Sequence, residues 1–270
     1  MSDLKTKHPW PHIAGPWLKT QTSLDHLRWS QYQELYDVPA PEEDRRFISG
    51  DGLVRGRKTN CLEHSLSMVI LGMMVAPRVE RHLPRLLDKA LLYTTLGLHD
   101  LGEGALKSDV LFQDKTIERD VQEYLAFCEG YRDMHSDTLQ GFKRAFLLQF
   151  ALGDTTAYPA DAQQIMAILK VTHRYEALLF MGLEHWDYLL YALEQYQAPD
   201  RHLLIPLIRV IVLSTPYLDQ VANELPGFRE KIWTDEARGQ TQEFLQSQEV
   251  KDFLRERRFA SVEDLVKKSR

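Results

Sequence analysis

From Thr59 onward the apolar residues recur at three- and four-residue intervals, with hardly any of the two-residue alternation of a half-buried strand. A chain patterned this way folds as packed helices, so an all-α fold class is expected. "NCLE" supplies Asn60 as an N-cap with Glu63 three positions on, a variant of the capping box, and the helix it opens is expected to end at Pro77. A second helix is expected from Pro84 through "RLLDKALLYTTLGLHDL", stopping at Gly102 and Gly104. Further helices are expected over 117–129 and 137–152, and one long helix after "YPADAQQ". Pro9, Pro11, Pro16, Pro39 and Pro41 break up the first fifty residues, which read as an irregular arm with one short helix around 23–36. The expected organisation is an arm over 1–50, a helical core over 51–200, and a helical extension over 201–270 packed on that core.

Two classes of partner are disfavoured. With 27 % charged residues of both signs and a net charge of -6, the chain lacks the basic footprint that a nucleic acid polymer needs. The runs "LSMVILGMMVAP" and "LLIPLIRVIVL" are short for a bilayer span and the second carries Arg209, so both read as buried helices and no membrane partner is expected. Two cysteines, Cys61 and Cys128, suit a reducing compartment, and the N-terminus shows no signal-peptide pattern; a cytoplasmic protein is expected.

The stretch "LGLHDLGEGALKSD" is where chemistry concentrates. His99 and Asp100 close an apolar helical run, with Glu103 three residues on and Asp109 beyond. His64 opens another helix in "EHS", and Lys170, His173 and Glu176 are expected on one later helix. Imidazole and carboxylate gathered from separate helices suit a divalent transition metal with coordination positions left open. There is neither a P-loop nor a Rossmann glycine pattern, so ATP-driven and dinucleotide redox chemistry lack support.

Together, "RGRKTNCLEHSLSMV", "LHDLGEGALKSD" and "KVTHRYEALLF" resemble the HD-domain metal-dependent phosphohydrolases, in particular the subgroup similar to bacterial 5′-deoxyribonucleotidases. The resemblance spans about residues 53–195 and implies an HD-type helical bundle. It implies that His64, His99 and Asp100 are metal ligands and that Glu103 positions the attacking water. Arg55 or Arg57 would hold the substrate phosphate, and Asp109 would sit near the sugar or the water, after a gap one residue longer than the family's. Where the family carries its last Asp ligand this chain has His173, which imidazole chemistry admits as a ligand for Mn, Fe, Co or Zn. Lys170 and Glu176 keep the surrounding pattern and would line the substrate site.

The implied activity is phosphate release from a small nucleotide, most simply a (deoxy)nucleoside 5′-monophosphate, with Mn, Co, Fe, Zn or Mg as cofactor and a homodimer as the assembly. Three other readings share the residues: a nucleoside triphosphate hydrolase of the same superfamily, a dinuclear iron oxygenase recruiting His135 or His185, and a metal-free nucleotide sensor. His135 and His185 read as surface or packing residues, and Met68, Met73 and Met74 as core filler.

Overall fold

The computed structural model describes residues 61–106, 115–197 and 204–268. Asn60, Arg55, Arg57, Asp109 and the expected helix around 23–36 lie outside the described residues. The described residues form helices and no strand, so the all-α expectation holds.

Six helices follow one another through the first two thirds: α1 (Cys61–Glu80), α2 (Lys89–Leu98), α3 (Leu101–Leu106), α4 (Ile117–Tyr131), α5 (Ser136–Leu148) and α6 (Ala160–Thr172). The chain continues through α7 (Arg174–Gln197), α8 (Leu204–Glu224), α9 (Pro226–Lys231), α10 (Asp235–Leu245), α11 (Gln248–Glu256) and α12 (Val262–Lys268). Two compact units result. Among the described residues one takes 61–73 and 87–180, the other 74–86 and 181–268.

Several helix boundaries differ from expectation for local reasons. Helix α1 runs through Pro77, which forfeits one backbone hydrogen bond, and ends at Glu80. Helix α2 starts at Lys89 rather than Pro84, because Asp88 caps it by accepting from the Leu91 amide at 2.9 Å. Gly102 and Gly104 lie inside α3 instead of stopping α2; the interruption falls at His99 and Asp100. The long helix expected after Pro159 is two helices, α6 and α7, divided at His173, where the backbone leaves helical geometry at φ -128°, ψ 32°.

The first unit packs around Leu91, Leu101, Phe127, Phe146, Leu169 and Ala177, with Phe127 and Phe146 stacked at 4.4 Å. Two glycines let its helices close up. At Gly72 on α1 a Cβ would sit 2.5 Å from a methyl of Leu96 on α2, and at Gly102 on α3 it would sit 2.5 Å from the backbone oxygen of Glu123 on α4. The second approach is backbone against backbone, so no rotamer change could make room for a side chain at Gly102.

The second unit buries Leu183, Leu207, Ile208, Leu218, Phe228 and Leu265. Trp233 donates its indole hydrogen to Asp219 at 2.8 Å, and α7 presses so tightly there that a Cβ at Gly182 would meet Val221 at 2.9 Å. Helix α8 is the single described helix long and apolar enough to cross a membrane by length and composition; 61 % of its apolar window is buried, and Arg209 within it is 1 % exposed. Met68 is buried as expected, whereas Met73 and Met74 are about half exposed on α1 and do not fill the core.

Candidate metal centre

Helices α1 and α2 run antiparallel, with Val69 facing Gly97 and Gly72 facing Leu96 and Tyr93. The pairing carries the first turn of α1 to the last turn of α2. His64, His99 and Asp100 meet there, each no more than 4 % exposed, with one donor atom from each within 4.8 Å of the others.

The two imidazoles face one another through their Nε2 atoms, 3.1 Å apart. His99 Nδ1 lies 2.9 Å from the Leu96 carbonyl, which can only accept, so Nδ1 carries the proton and Nε2 presents a lone pair toward His64. Asp100 adds its carboxylate: Oδ1 lies 3.4 Å from His99 Nε2 and Oδ2 3.9 Å from His64 Nε2. Two nitrogens each about 2.1 Å from one cation stand roughly 3 Å apart, so the observed separation fits a shared ion. Two neutral nitrogens and one carboxylate suit a divalent transition metal.

The surroundings hold this geometry. Thr95, one turn before His99, shares its hydroxyl proton between the Leu91 and Ala145 carbonyls, both at 2.9 Å, which pins α2 to α5. Gln149, the C-cap of α5, donates to the His99 carbonyl at 3.3 Å. The Phe180 ring stands edge-on to His99 at 5.4 Å between centroids and keeps that flank apolar.

Glu103 follows Asp100 by one turn and is 1 % exposed. It lies outside the three-residue donor group, and its Oε2 is 3.0 Å from Lys115 Nζ. The same ammonium is 3.2 Å from Glu123 Oε2, and Arg119 Nε is 3.3 Å from Glu123 Oε1. Burial pushes the Glu123 carboxyl up to about 7, reinforced by Glu103 and Asp120 and opposed by Lys115. Glu123 and Lys115 were not singled out in the sequence. No local spacing pairs them with Glu103; only the close packing of α3 on α4 at Gly102 does.

The remaining expected residues disperse. His173 is not in the donor group and caps the end of α6. Thr172 Oγ1 donates to the Ile168 carbonyl at 2.8 Å, so it accepts from His173 Nδ1 at 2.6 Å. His173 Nε2 then accepts from the Arg144 guanidinium at 3.1 Å, with Asp88 Oδ2 3.6 Å away. Glu176 is fully buried and accepts from the Asp88 backbone amide at 2.7 Å, tying the start of α7 to the start of α2. Lys170 is exposed on α6. His135 is exposed at the N-cap of α5. His185 is buried in the second unit, stacked on Tyr217 at 4.1 Å and 3.2 Å from the Ser214 hydroxyl, and burial pushes its pKa down to about 4. Both cysteines are free thiols.

Comparison with known proteins adds no name to this geometry: no family model, no curated protein and no solved structure matches the chain.

Proposed function

We propose that this protein is a metal-dependent phosphohydrolase that releases phosphate from a nucleotide, in the first instance a (deoxy)nucleoside 5′-monophosphate, as the HD-type resemblance implies. One observation carries the reading: the buried convergence of His64 Nε2, His99 Nε2 and an Asp100 carboxylate oxygen. Three protein ligands leave coordination positions open for water and a phosphoryl oxygen. A divalent ion held there supplies a water of lowered pKa and a positive charge against the phosphoryl oxygens.

The chain's own residues do the positioning. Leu96 fixes the His99 tautomer, and Phe180 keeps water from that flank. Glu103, steadied by Lys115, is the nearest carboxylate along the chain to orient an attacking water, one helical turn past Asp100. The Lys115 side chain is 22 % exposed and offers a cation that a phosphate can approach.

The test is phosphate release from a panel of deoxy- and ribonucleoside mono- and triphosphates, with Mn, Co, Zn and Mg supplied in turn. Metal-dependent release that disappears in His99→Ala supports the reading and names the substrate. No release from any member, by protein shown to hold metal, removes it.

A further inference from the structure

Helices α5 and α6 leave a groove of about 490 Å³ between them in the first unit. Its walls are aliphatic, from Ile165, Ile168 and Leu169 on α6, and Ile168 is 53 % exposed there. Its polar end gathers Arg144, Thr172 and His173. Gly141 contributes no side chain to the α5 wall, and a Cβ there would meet nothing within 4 Å, so the groove is open on that side.

The polar end carries a positive charge. Thr172 takes the proton on His173 Nδ1 and the Arg144 guanidinium donates to Nε2, so the guanidinium's partner here is an imidazole nitrogen, which carries no negative charge to balance it. Among the described residues Arg144 pairs with no carboxylate. A guanidinium of this kind, at the mouth of an aliphatic groove, matches a carboxylate that accepts two parallel hydrogen bonds.

The occupant's charge and body follow from the same residues. Asp88 Oδ2 lies 3.6 Å from His173 Nε2, and this carboxylate beside the polar end opposes a doubly charged headgroup. The lining holds no Phe, Tyr or Trp, and the His173 ring is taken up by Thr172 and Arg144, so the groove lacks a broad face on which a nucleobase would stack. From Ile165 to Thr172 is seven residues of helix, about 10 Å of aliphatic wall.

We propose that this groove binds a small aliphatic monocarboxylate, with the carboxylate on Arg144 and an apolar body about 10 Å long laid along Ile165, Ile168 and Leu169. The site is independent of the metal reading, because none of its residues belongs to the His64, His99 and Asp100 group.

Sodium octanoate is the probe, titrated calorimetrically into the full-length protein with a chelator present, so that the outcome does not depend on metal or on turnover. Wild type should bind one octanoate saturably. Arg144→Gln should weaken binding about tenfold or more, since a charge-assisted hydrogen bond is lost, and octanol should bind wild type more weakly by a similar factor. Ile168→Asp, on an exposed position, should weaken binding with the helical signal unchanged. Absence of saturable binding to wild type overturns the proposal, as does binding undiminished in both variants. Octyl phosphate binding as tightly as octanoate, or displacement of octanoate by deoxyadenosine monophosphate, overturns the assignment to an aliphatic monocarboxylate.

Discussion

His64 and His99 in the first unit and His185 in the second are buried to nearly the same degree, about 3 to 5 % exposed, and yet they do different things. His185 has its needs met within its own unit by a ring stacked on Tyr217 and a nitrogen beside Ser214. At the α1–α2 end, by contrast, the Leu96 carbonyl turns a lone pair of His99 toward a second imidazole, with a carboxylate alongside. Burial therefore does not mark a ligand. Convergence of two imidazole nitrogens and a carboxylate oxygen within reach of one cation marks a candidate.

The largest effect that sharpens this contrast is on metal affinity. Substituting His64, His99 or Asp100 with Ala should lower it at least 100-fold, about 2.7 kcal/mol or more, while His185→Ala leaves it unchanged. Metal titrations on the four variants measure both. Loss of metal in His185→Ala would break the distinction between the two histidine environments.

Next in size is a difference in pH response. His185 is neutral in the fold with a pKa near 4, against 6.5 in the unfolded chain. Its contribution to stability is therefore intact above about pH 6.5 and is lost as pH falls toward 4, by up to about 3 kcal/mol. Glu123 behaves oppositely: its pKa is raised from 4.5 to about 7, so the fold keeps a proton that the unfolded chain releases, and stability falls as pH rises through that window. Hydrogen exchange should show the second unit losing protection below pH 6 in wild type but not in His185→Phe. It should show α3 and α4 losing protection between pH 5 and 7 in wild type but not in Glu123→Gln.

A smaller effect is expected at the close approach of α3 to α4. Gly102→Ala should cost about 1–3 kcal/mol in denaturant melts, because its Cβ would lie 2.5 Å from the Glu123 carbonyl oxygen. The α3 shift should also reduce metal affinity, since Asp100 lies two residues earlier. Smallest of all, Arg132→Ala removes an exposed pair with Glu129 and should change stability by less than about 0.5 kcal/mol and metal affinity not at all.

These contrasts also mark what the sequence could carry. Helical periodicity, and caps such as Thr116, Thr234 and Ser247 at the starts of α4, α10 and α11, are local, so the all-α class was legible. His64, His99 and Asp100 were legible because polar side chains stand within apolar helical runs in "EHS" and "LHDL", although the glycines expected to end α2 lie inside α3. The split of the long helix at His173 was not, since the imidazole is held there by Thr172 and by Arg144 from another helix. Nor were Glu123 and Lys115, whose pairing with Glu103 comes from packing at Gly102. Arg144 reads in sequence as an ordinary surface residue of an amphipathic helix; only the groove beside it gives its charge a use.

The most direct test of the central claim is metal stoichiometry by mass spectrometry on protein stripped, reloaded with Mn, Co or Zn, and desalted, for wild type beside His99→Ala and Asp100→Asn. The account predicts one ion per wild-type chain and a loss of that ion in both variants. A wild type that retains no ion, or variants that retain it fully, would contradict a metal centre built on His64, His99 and Asp100.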